Sequence, residues 1–426
     1  MKLHKLDNGL RVFILEKHSV PAVSVQVWYQ TGSVQERDGI RGIAHLFEHM
    51  MFRGSDNYEP EEHSRLIHDV GGECNAFTTE HATVYFETLP SQHLELALEL
   101  EADRMQSLRL NQEILDTERQ VVLEEFHRYL NDPFARAFFE FRRKLYAKHP
   151  YRWTPLGELD DLAKISVEDC ENFYRNFYAP NNAAIILSGD IESETALGLV
   201  EKHFSSIEPS QADRVDYPAE PEQSQSQHIE MKLPIEVPIV AVAFRAPDAS
   251  HPDIPALSIL DHILASGRSA RLEERIVKKR PIAVHAGGHL IVNKDPGMYA
   301  CFAAYLPNRR SKKVVEAILA EVKCIQSEGV TEDELQSAKN RLLSSKVFGH
   351  YSAESLANEI GWSEFIEGDY RRSETVDERI DRVTLDDVQR VARQYLVQDR
   401  MTILSVKPEK FRILYWFAGL FYALKR

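Results

Sequence analysis

Residues 43–50 read Ile43-Ala44-His45-Leu46-Phe47-Glu48-His49-Met50. Two imidazoles stand four residues apart with a carboxylate between them. On an α-helix, positions i, i+3 and i+4 share one face, so His45 and His49 can close on one metal ion from successive turns with Glu48 beside them. The apolar residues Ile40, Ile43, Ala44, Phe47, Met50 and Met51 recur at helical spacing, Asp38-Gly39 precedes them and Gly54 supplies a stop, which predicts a helix here. Paired helical histidines suit zinc, and a catalytic zinc takes a third protein ligand and keeps a place for water. Glu48 is then placed to take a proton from that water. The order H-x-x-E-H inverts the commoner H-E-x-x-H and stands among the zincin-type motifs. By itself the motif also suits a structural zinc or two solvated surface histidines.

Working outward, the chain has 426 residues, enough for two or more domains with real cores. A formal charge of −15 argues against a general nucleic-acid binder, because polyanions would be repelled. Its simplest reading is solubility. Cys74, Cys170, Cys301 and Cys324 form no C-x-x-C pair and read as free, mostly buried thiols, a usage that fits a reducing compartment without requiring one. Met1-Lys2-Leu3-His4-Lys5 leads into strand-like sequence with no apolar leader. That predicts a cytoplasmic protein, or a periplasmic one whose leader has been removed.

Ahead of the motif, Leu10-Arg11-Val12-Phe13-Ile14-Leu15 and Ala22-Val23-Ser24-Val25-Gln26-Val27-Trp28 read as strands. Behind it come a helix over 61–70 ending at Gly71-Gly72, two β-rich runs over 73–79 and 82–89, and helices over 94–108, 112–130 and 167–177. Ala183-Ala184-Ile185-Ile186-Leu187-Ser188-Gly189 is a buried strand closing the first half. Residues 205–227, rich in Pro, Ser, Gln and Glu, read as a linker. The second half replays the first: a strand over 237–244, a helix over 254–264, a β-rich stretch over 282–305, helices over 312–327, 331–347, 353–366 and 385–395, and a final strand over 401–406. Aligning Glu48-His49 with Asp261-His262 puts Ser258 where His45 stands, so the repeat has lost one ligand. The reading is an α+β protein of two homologous domains, 1–204 and 228–410, each an antiparallel-rich sheet packed with helices.

A third ligand has to come from elsewhere. The helix over 112–130 offers Glu113, Glu118, Glu124 and Glu125. Glu118 and Glu125 are two turns apart and share a face, while Glu124 lies about 100° away from Glu125 around the helix. With Glu125 lying 76 residues beyond His49, inside Glu118-Arg119-Gln120-Val121-Val122-Leu123-Glu124-Glu125, the pattern resembles the pitrilysin/insulinase family of zinc peptidases. Gly71-Gly72, Asn75-Ala76-Phe77-Thr78 and Thr83-x-Tyr85 resemble the same family. The likeness runs from about residue 3 to 408 and points to the two-domain bacterial and mitochondrial-processing-peptidase-like subunits.

The resemblance implies a zinc-dependent endopeptidase for peptides or unfolded segments, with a non-catalytic or scaffold peptide-binding subunit as the alternative. His45, His49 and Glu125 would bind zinc, Glu48 would be the general base, and Glu118 would support the site from behind. Asn75, Ala76 and Phe77 would lie on an edge strand that holds substrate by β-augmentation. An Arg and a Tyr from the far half would bind substrate, for which Arg341 and Tyr351 are the nearest candidates, more loosely spaced than the family's pattern. The family also implies work in a pair, a hetero- or homodimer with a related two-domain subunit. His63, His68, His81 and His127 read as surface or supporting residues, and Cys74 as a structural thiol. Residues 411–426 form an apolar tail whose core, residues 411–424, is shorter than the ~20 residues that span a bilayer. The tail is expected to dock on a groove or partner, or to lie at a membrane surface.

Overall fold

The computed structural model describes residues 1–409 apart from 212–214, 307–308 and 350–351, and gives no side-chain account of 347–349. The apolar tail read from sequence, residues 411–426, lies outside the described residues. The first half runs β1 (Lys2–Lys5), β2 (Arg11–Glu16), β3 (Ala22–Tyr29), α1 (Ile43–Met50), α2 (Glu62–Asp69), β4 (Glu73–Thr78), β5 (Thr83–Pro90), α3 (Leu94–Gln106), α4 (Gln112–Asn131), α5 (Pro133–Leu145), α6 (Leu159–Leu162), α7 (Val167–Phe177), β6 (Ala183–Gly189) and α8 (Ser193–Phe204). The second half runs β7 (Gln227–Leu233), β8 (Ile239–Arg245), α9 (Ile254–Leu264), β9 (Ala283–Ile291), β10 (Met298–Tyr305), α10 (Ser311–Glu328), α11 (Glu332–Gly349), α12 (Ala353–Phe365), α13 (Val376–Asp381), α14 (Leu385–Tyr395) and β11 (Thr402–Pro408).

Each half builds one sheet. The first has the order β1-β2-β6-β3-β5-β4, with β2 and β6 parallel and every other pair antiparallel. The second has the order β7-β11-β8-β10-β9, with β7 and β11 parallel and the rest antiparallel. Strand for strand, the second order repeats the first without β1. The α+β duplication read from sequence is therefore observed.

The two compact units are not contiguous in sequence. One comprises residues 1–131, 146–220 and 349–365; the other comprises 132–145, 221–348 and the chain from 366 onward. The division at 220 falls within the stretch read as a linker. Helices α5 and α12 change places: each half lends one helix to the other half's sheet. In the second unit, Val240, Val242 and Phe244 of β8 share a core with Leu257, Leu260 and Leu264 of α9 and Val314, Ile318 and Val322 of α10. The opposite face of that sheet meets α5.

In the first unit the lent helix explains why β3 is buried along nearly its whole length. Val23, Val25 and Val27 point to one face, as strand alternation requires. Ser24, Gln26 and Trp28 point to the other, where α12 covers them. Gln26 donates from Nε2 to the Glu354 carbonyl (3.1 Å) and accepts from Trp28 Nε1 (2.9 Å). The Phe365 ring lies 5.5 Å from that of Trp28, and the Arg11 guanidinium lies over Phe365. Gly361 lets the helix approach so closely that an added Cβ would stand 2.1 Å from Trp28. Gly361→Ala should therefore lower the denaturation midpoint by the equivalent of about 1–3 kcal/mol, the usual cost of overpacking. An unchanged midpoint would mean that α12 shifts freely on the sheet.

Among the described residues no helix is long and apolar enough to cross a membrane.

Candidate metal centre

Helix α1 begins at Ile43, later than the apolar periodicity suggested. Gly42 holds a φ of 101°, a left-handed turn, and an added Cβ there would meet Leu162 at 2.7 Å. The buried Glu36 carboxyl accepts from the Ala44 N–H (3.1 Å), satisfying one of the free donors at the helix start. Ile43, Ala44, Leu46, Phe47 and Met50 are buried, with the Phe47 ring 4.8 Å from that of Tyr178 and 5.6 Å from that of Phe173. The anchored apolar side leaves His45, Glu48 and His49 on the remaining face, toward α4.

From α4, Glu125 enters the same space. His45 Nε2 lies 3.6 Å and His49 Nε2 3.7 Å from Glu125 Oε2, and one ligand atom from each of the three residues falls within 4.8 Å of the others. Ligands about 2.0–2.1 Å from a tetrahedral zinc stand roughly 3.4 Å apart, so the three residues fit that ion. Burial, followed by the nearby His49, pushes the His45 imidazole down to about 3, which keeps it neutral with its lone pair free. Glu118, two turns before Glu125 on α4, lies 3.5 Å from His49 Nδ1 and pairs with Arg53 Nε at 2.5 Å. Burial alone would lower the His49 imidazole. The Glu118 contact and the charges of Glu48, Glu118 and Glu125 outweigh it and raise the group. A carboxylate on the outer nitrogen of a ligand histidine fixes ring orientation and basicity. Glu124 is exposed on another side of α4.

Glu48 is held by a hydroxyl. Thr78 Oγ1, at the end of β4, donates to Glu48 Oε2 at 2.6 Å. Burial lifts the Glu48 carboxyl above its usual range, while the Thr78 hydrogen bond and His49 pull it down without cancelling the effect. Strand β4 carries Asn75, Ala76 and Phe77 and ends the sheet, so one of its edges pairs with no strand among the described residues. Asn75 is exposed there and accepts from the Ala76 N–H (2.9 Å).

A second set of ligand-type side chains lies deeper in the same unit: His63 of α2, Glu87 of β5 and Glu101 of α3. Exposure separates the two sets. The His45, His49 and Glu125 side chains retain 13%, 24% and 26%, whereas His63, Glu87 and Glu101 retain 9%, 0% and 0%. The deeper set already has its cation. Arg104 donates from Nε to Glu101 Oε2 (2.9 Å) and from Nη2 to Glu87 Oε1 (3.4 Å), and its guanidinium lies 4.4 Å from the Tyr85 ring centre. His63 Nε2 meets Glu87 Oε1 at 2.9 Å, and burial with Arg104 nearby drives the imidazole down to about 3. Burial raises the Glu101 carboxyl to about 8 despite Arg104. Arg104→Met should cost about 3–5 kcal/mol in chemical denaturation above about pH 8, where Glu101 ionises, because it strands buried charges without their partner. A midpoint shift well below that range would mean the acids are carried neutral.

Sequence reasoning missed Thr78 as the Glu48 anchor, Arg53 as the Glu118 partner and this buried network. Thr78 stood inside a quoted motif and Arg53 three residues past the helix, but neither position signals a partner distant in sequence. Arg341 sits on α11 in the second unit. Its guanidinium donates to the His262 carbonyl (3.1 Å), the Ser266 carbonyl (3.2 Å) and Ser269 Oγ (3.3 Å), closing the C-terminal end of α9. Tyr351 lies outside the described residues. In the repeat of the motif, Asp261 accepts from Ser266 Oγ at 2.5 Å and His262 Nδ1 meets the Ser258 carbonyl at 3.1 Å, so both face local partners. The four cysteines are free, with Cys170 and Cys301 buried.

Comparison with known proteins gives two family matches. Residues 11–152 match the profile described as insulinase (peptidase family M16), and residues 164–342 match the peptidase M16 inactive domain. The zinc protease PqqE of Helicobacter pylori is 30% identical over 417 residues, covering 95% of this chain and 92% of that protein. A probable mitochondrial-processing peptidase subunit beta of Arabidopsis thaliana is 26% identical, over 95% of this chain and 77% of its own length. The crystal structure of a protease from Helicobacter pylori superposes with a TM-score of 0.90 at 28% identity, covering 96% of this chain and 99% of the other.

Proposed function

The chain belongs to the insulinase family, peptidase family M16, and from that premise we propose that it is a zinc-dependent endopeptidase acting on peptides or unfolded polypeptide segments. The observation that carries this reading is the convergence of His45 and His49 on one Glu125 oxygen, at 3.6 and 3.7 Å, with Glu48 on the same helical face. His45, His49 and Glu125 would hold the metal. Zinc bound there supplies Lewis acidity toward a scissile carbonyl and acidifies a water.

The protein's own residues supply the rest. Thr78 occupies one oxygen of Glu48 and leaves the other to accept a proton from the attacking water. A carboxyl raised by burial lies nearer the operating pH than an ordinary one, which suits a group that takes a proton and later returns it to the leaving amine. Arg53 and Glu118 hold the His49 ring from behind. The edge of β4 that pairs with no strand among the described residues offers backbone donors and acceptors to an extended substrate, so affinity comes from the peptide backbone with loose selectivity for side chains.

The competing reading is a peptide-binding subunit that turns nothing over. Mass spectrometry of a mixed peptide library separates the two. Internal cleavage should be abolished by a chelator and restored by zinc. Bound but uncut peptides at full zinc loading would overturn the enzymatic reading.

The same premise supports a pair, this chain with a related two-domain subunit, and one relative is itself named as a subunit. Arg341 already spends its guanidinium on α9, so we assign the far-side cation to the partner. A single chain of monomer mass with full activity would refute the pairing.

A further inference from the structure

The second unit holds a cavity of about 750 Å³ between α5 and the face of its sheet opposite α9 and α10. Phe134, Phe138 and Phe141 of α5 form one wall; Ile239, Phe302 and Val406 belong to the other. The first unit is packed tightly where its own lent helix lies, because Gly361 seats α12 directly on Trp28. Phe134, Phe138 and Val237, all at the cavity, are 59%, 37% and 38% exposed, so an apolar mouth faces solvent. Contiguous exposed apolar surface marks a docking site.

The path of the chain leads to this cavity. Strand β11 lines the cavity with Leu404 and Val406. It runs parallel to β7 with Pro408 beside Leu233, and the next residue, Glu409, donates its N–H to the Leu233 carbonyl at 2.9 Å. Pro234, Ile235 and Val237, which follow Leu233, line the cavity. Glu409 therefore stands next to the start of that lining stretch, one residue short of Lys410 and the apolar run Phe411-Arg412-Ile413-Leu414-Tyr415-Trp416-Phe417-Ala418-Gly419-Leu420-Phe421-Tyr422-Ala423-Leu424. Between Phe411 and Leu424 only Arg412 is charged. A segment apolar nearly all round belongs buried against protein or lipid rather than in water, and this run is shorter than the ~20 residues a bilayer span requires. A tethered apolar segment meets an apolar cavity at high effective concentration, which favours this occupant over any free ligand.

We infer that the cavity between α5 and the second sheet is the seat of the chain's own C-terminal segment, residues 411–424. This inference stands apart from the peptidase reading, and its test needs no activity. Two full-length proteins are compared, the natural chain and Phe138→Asp, which places a charge at the half-exposed mouth. Chymotrypsin, which cuts after the aromatic residues of the segment, should release it from the variant at least about tenfold faster, since cleavage follows the undocked population. A chain ending at Lys410 should bind the apolar dye anilinonaphthalene sulfonate several-fold better than the full chain, and an unchanged near- and far-ultraviolet circular dichroism spectrum reports that it has folded. Equal cleavage rates, equal dye binding, or flotation of the full chain with phosphatidylcholine–phosphatidylglycerol vesicles that is lost on truncation would each overturn the inference. The last result would assign the segment to a membrane surface.

Discussion

Glu48→Gln should keep its zinc and lose about 10²–10⁴-fold in turnover, the range that general-base catalysis contributes. The substitution is nearly isosteric. The amide carbonyl of the variant can still accept from Thr78 Oγ1, so the anchor at 2.6 Å survives. What the side chain loses is the oxygen able to take up a proton. The three residues that converge on the metal position, His45, His49 and Glu125, are untouched. Zinc stoichiometry and cleavage rate measured on one preparation therefore separate the base from the ligands. Lost zinc would mean that Glu48 is a ligand. Retained turnover would place the base elsewhere, and the deeper set of His63, Glu87 and Glu101 would not replace it, since Arg104 already occupies it and burial closes it off from substrate.

The histidines and Glu48 were legible because the signal is local: i, i+3 and i+4 fix one helical face whatever the helix packs against. That Glu118 and Glu125 share a face, with Glu124 turned away, was legible as two turns of one helix; which of the two serves the metal position came from the family resemblance. The repeat was legible in the run of elements, and both sheets follow it. Contacts between distant segments were not legible. Nothing in Glu87, Glu101 and Arg104 read singly says that two elements bring them together against Tyr85. Helix α5 was overlooked although Pro133 opens it and Phe134, Phe138 and Phe141 mark an apolar face. Even when that face is read correctly, it does not say which sheet it will cover. The exchange of α5 and α12 between units is set by tertiary packing. Arg341 shows the opposite failure: the cation was visible, but its use at the end of α9 was not.

Glu125→Gln should release zinc where Glu124→Gln does not. A carboxylate that supports a ligand from behind typically accounts for about 10–100-fold in metal affinity or activity, so replacing a carboxylate that is itself a ligand should exceed that range in equilibrium dialysis. The prediction turns on neighbouring residues of one helix. Glu125 Oε2 stands 3.6 Å from His45 Nε2 and 3.7 Å from His49 Nε2, whereas Glu124 is exposed on another side of α4. Glutamine in place of Glu125 retains the length and shape of the side chain but presents a neutral amide, so any loss reflects charge and donor type rather than space. Stability offers an internal control. With zinc in excess, the natural chain gains folding free energy from the bound ion, about 2.7 kcal/mol at 100 times the dissociation constant. Glu124→Gln should keep that zinc-dependent rise in midpoint and Glu125→Gln should lose most of it, while the two variants denature alike in chelator. If Glu124→Gln were instead the variant that lost the metal, α4 would have to sit rotated by about 100° from its place here, and Glu118 could no longer reach His49.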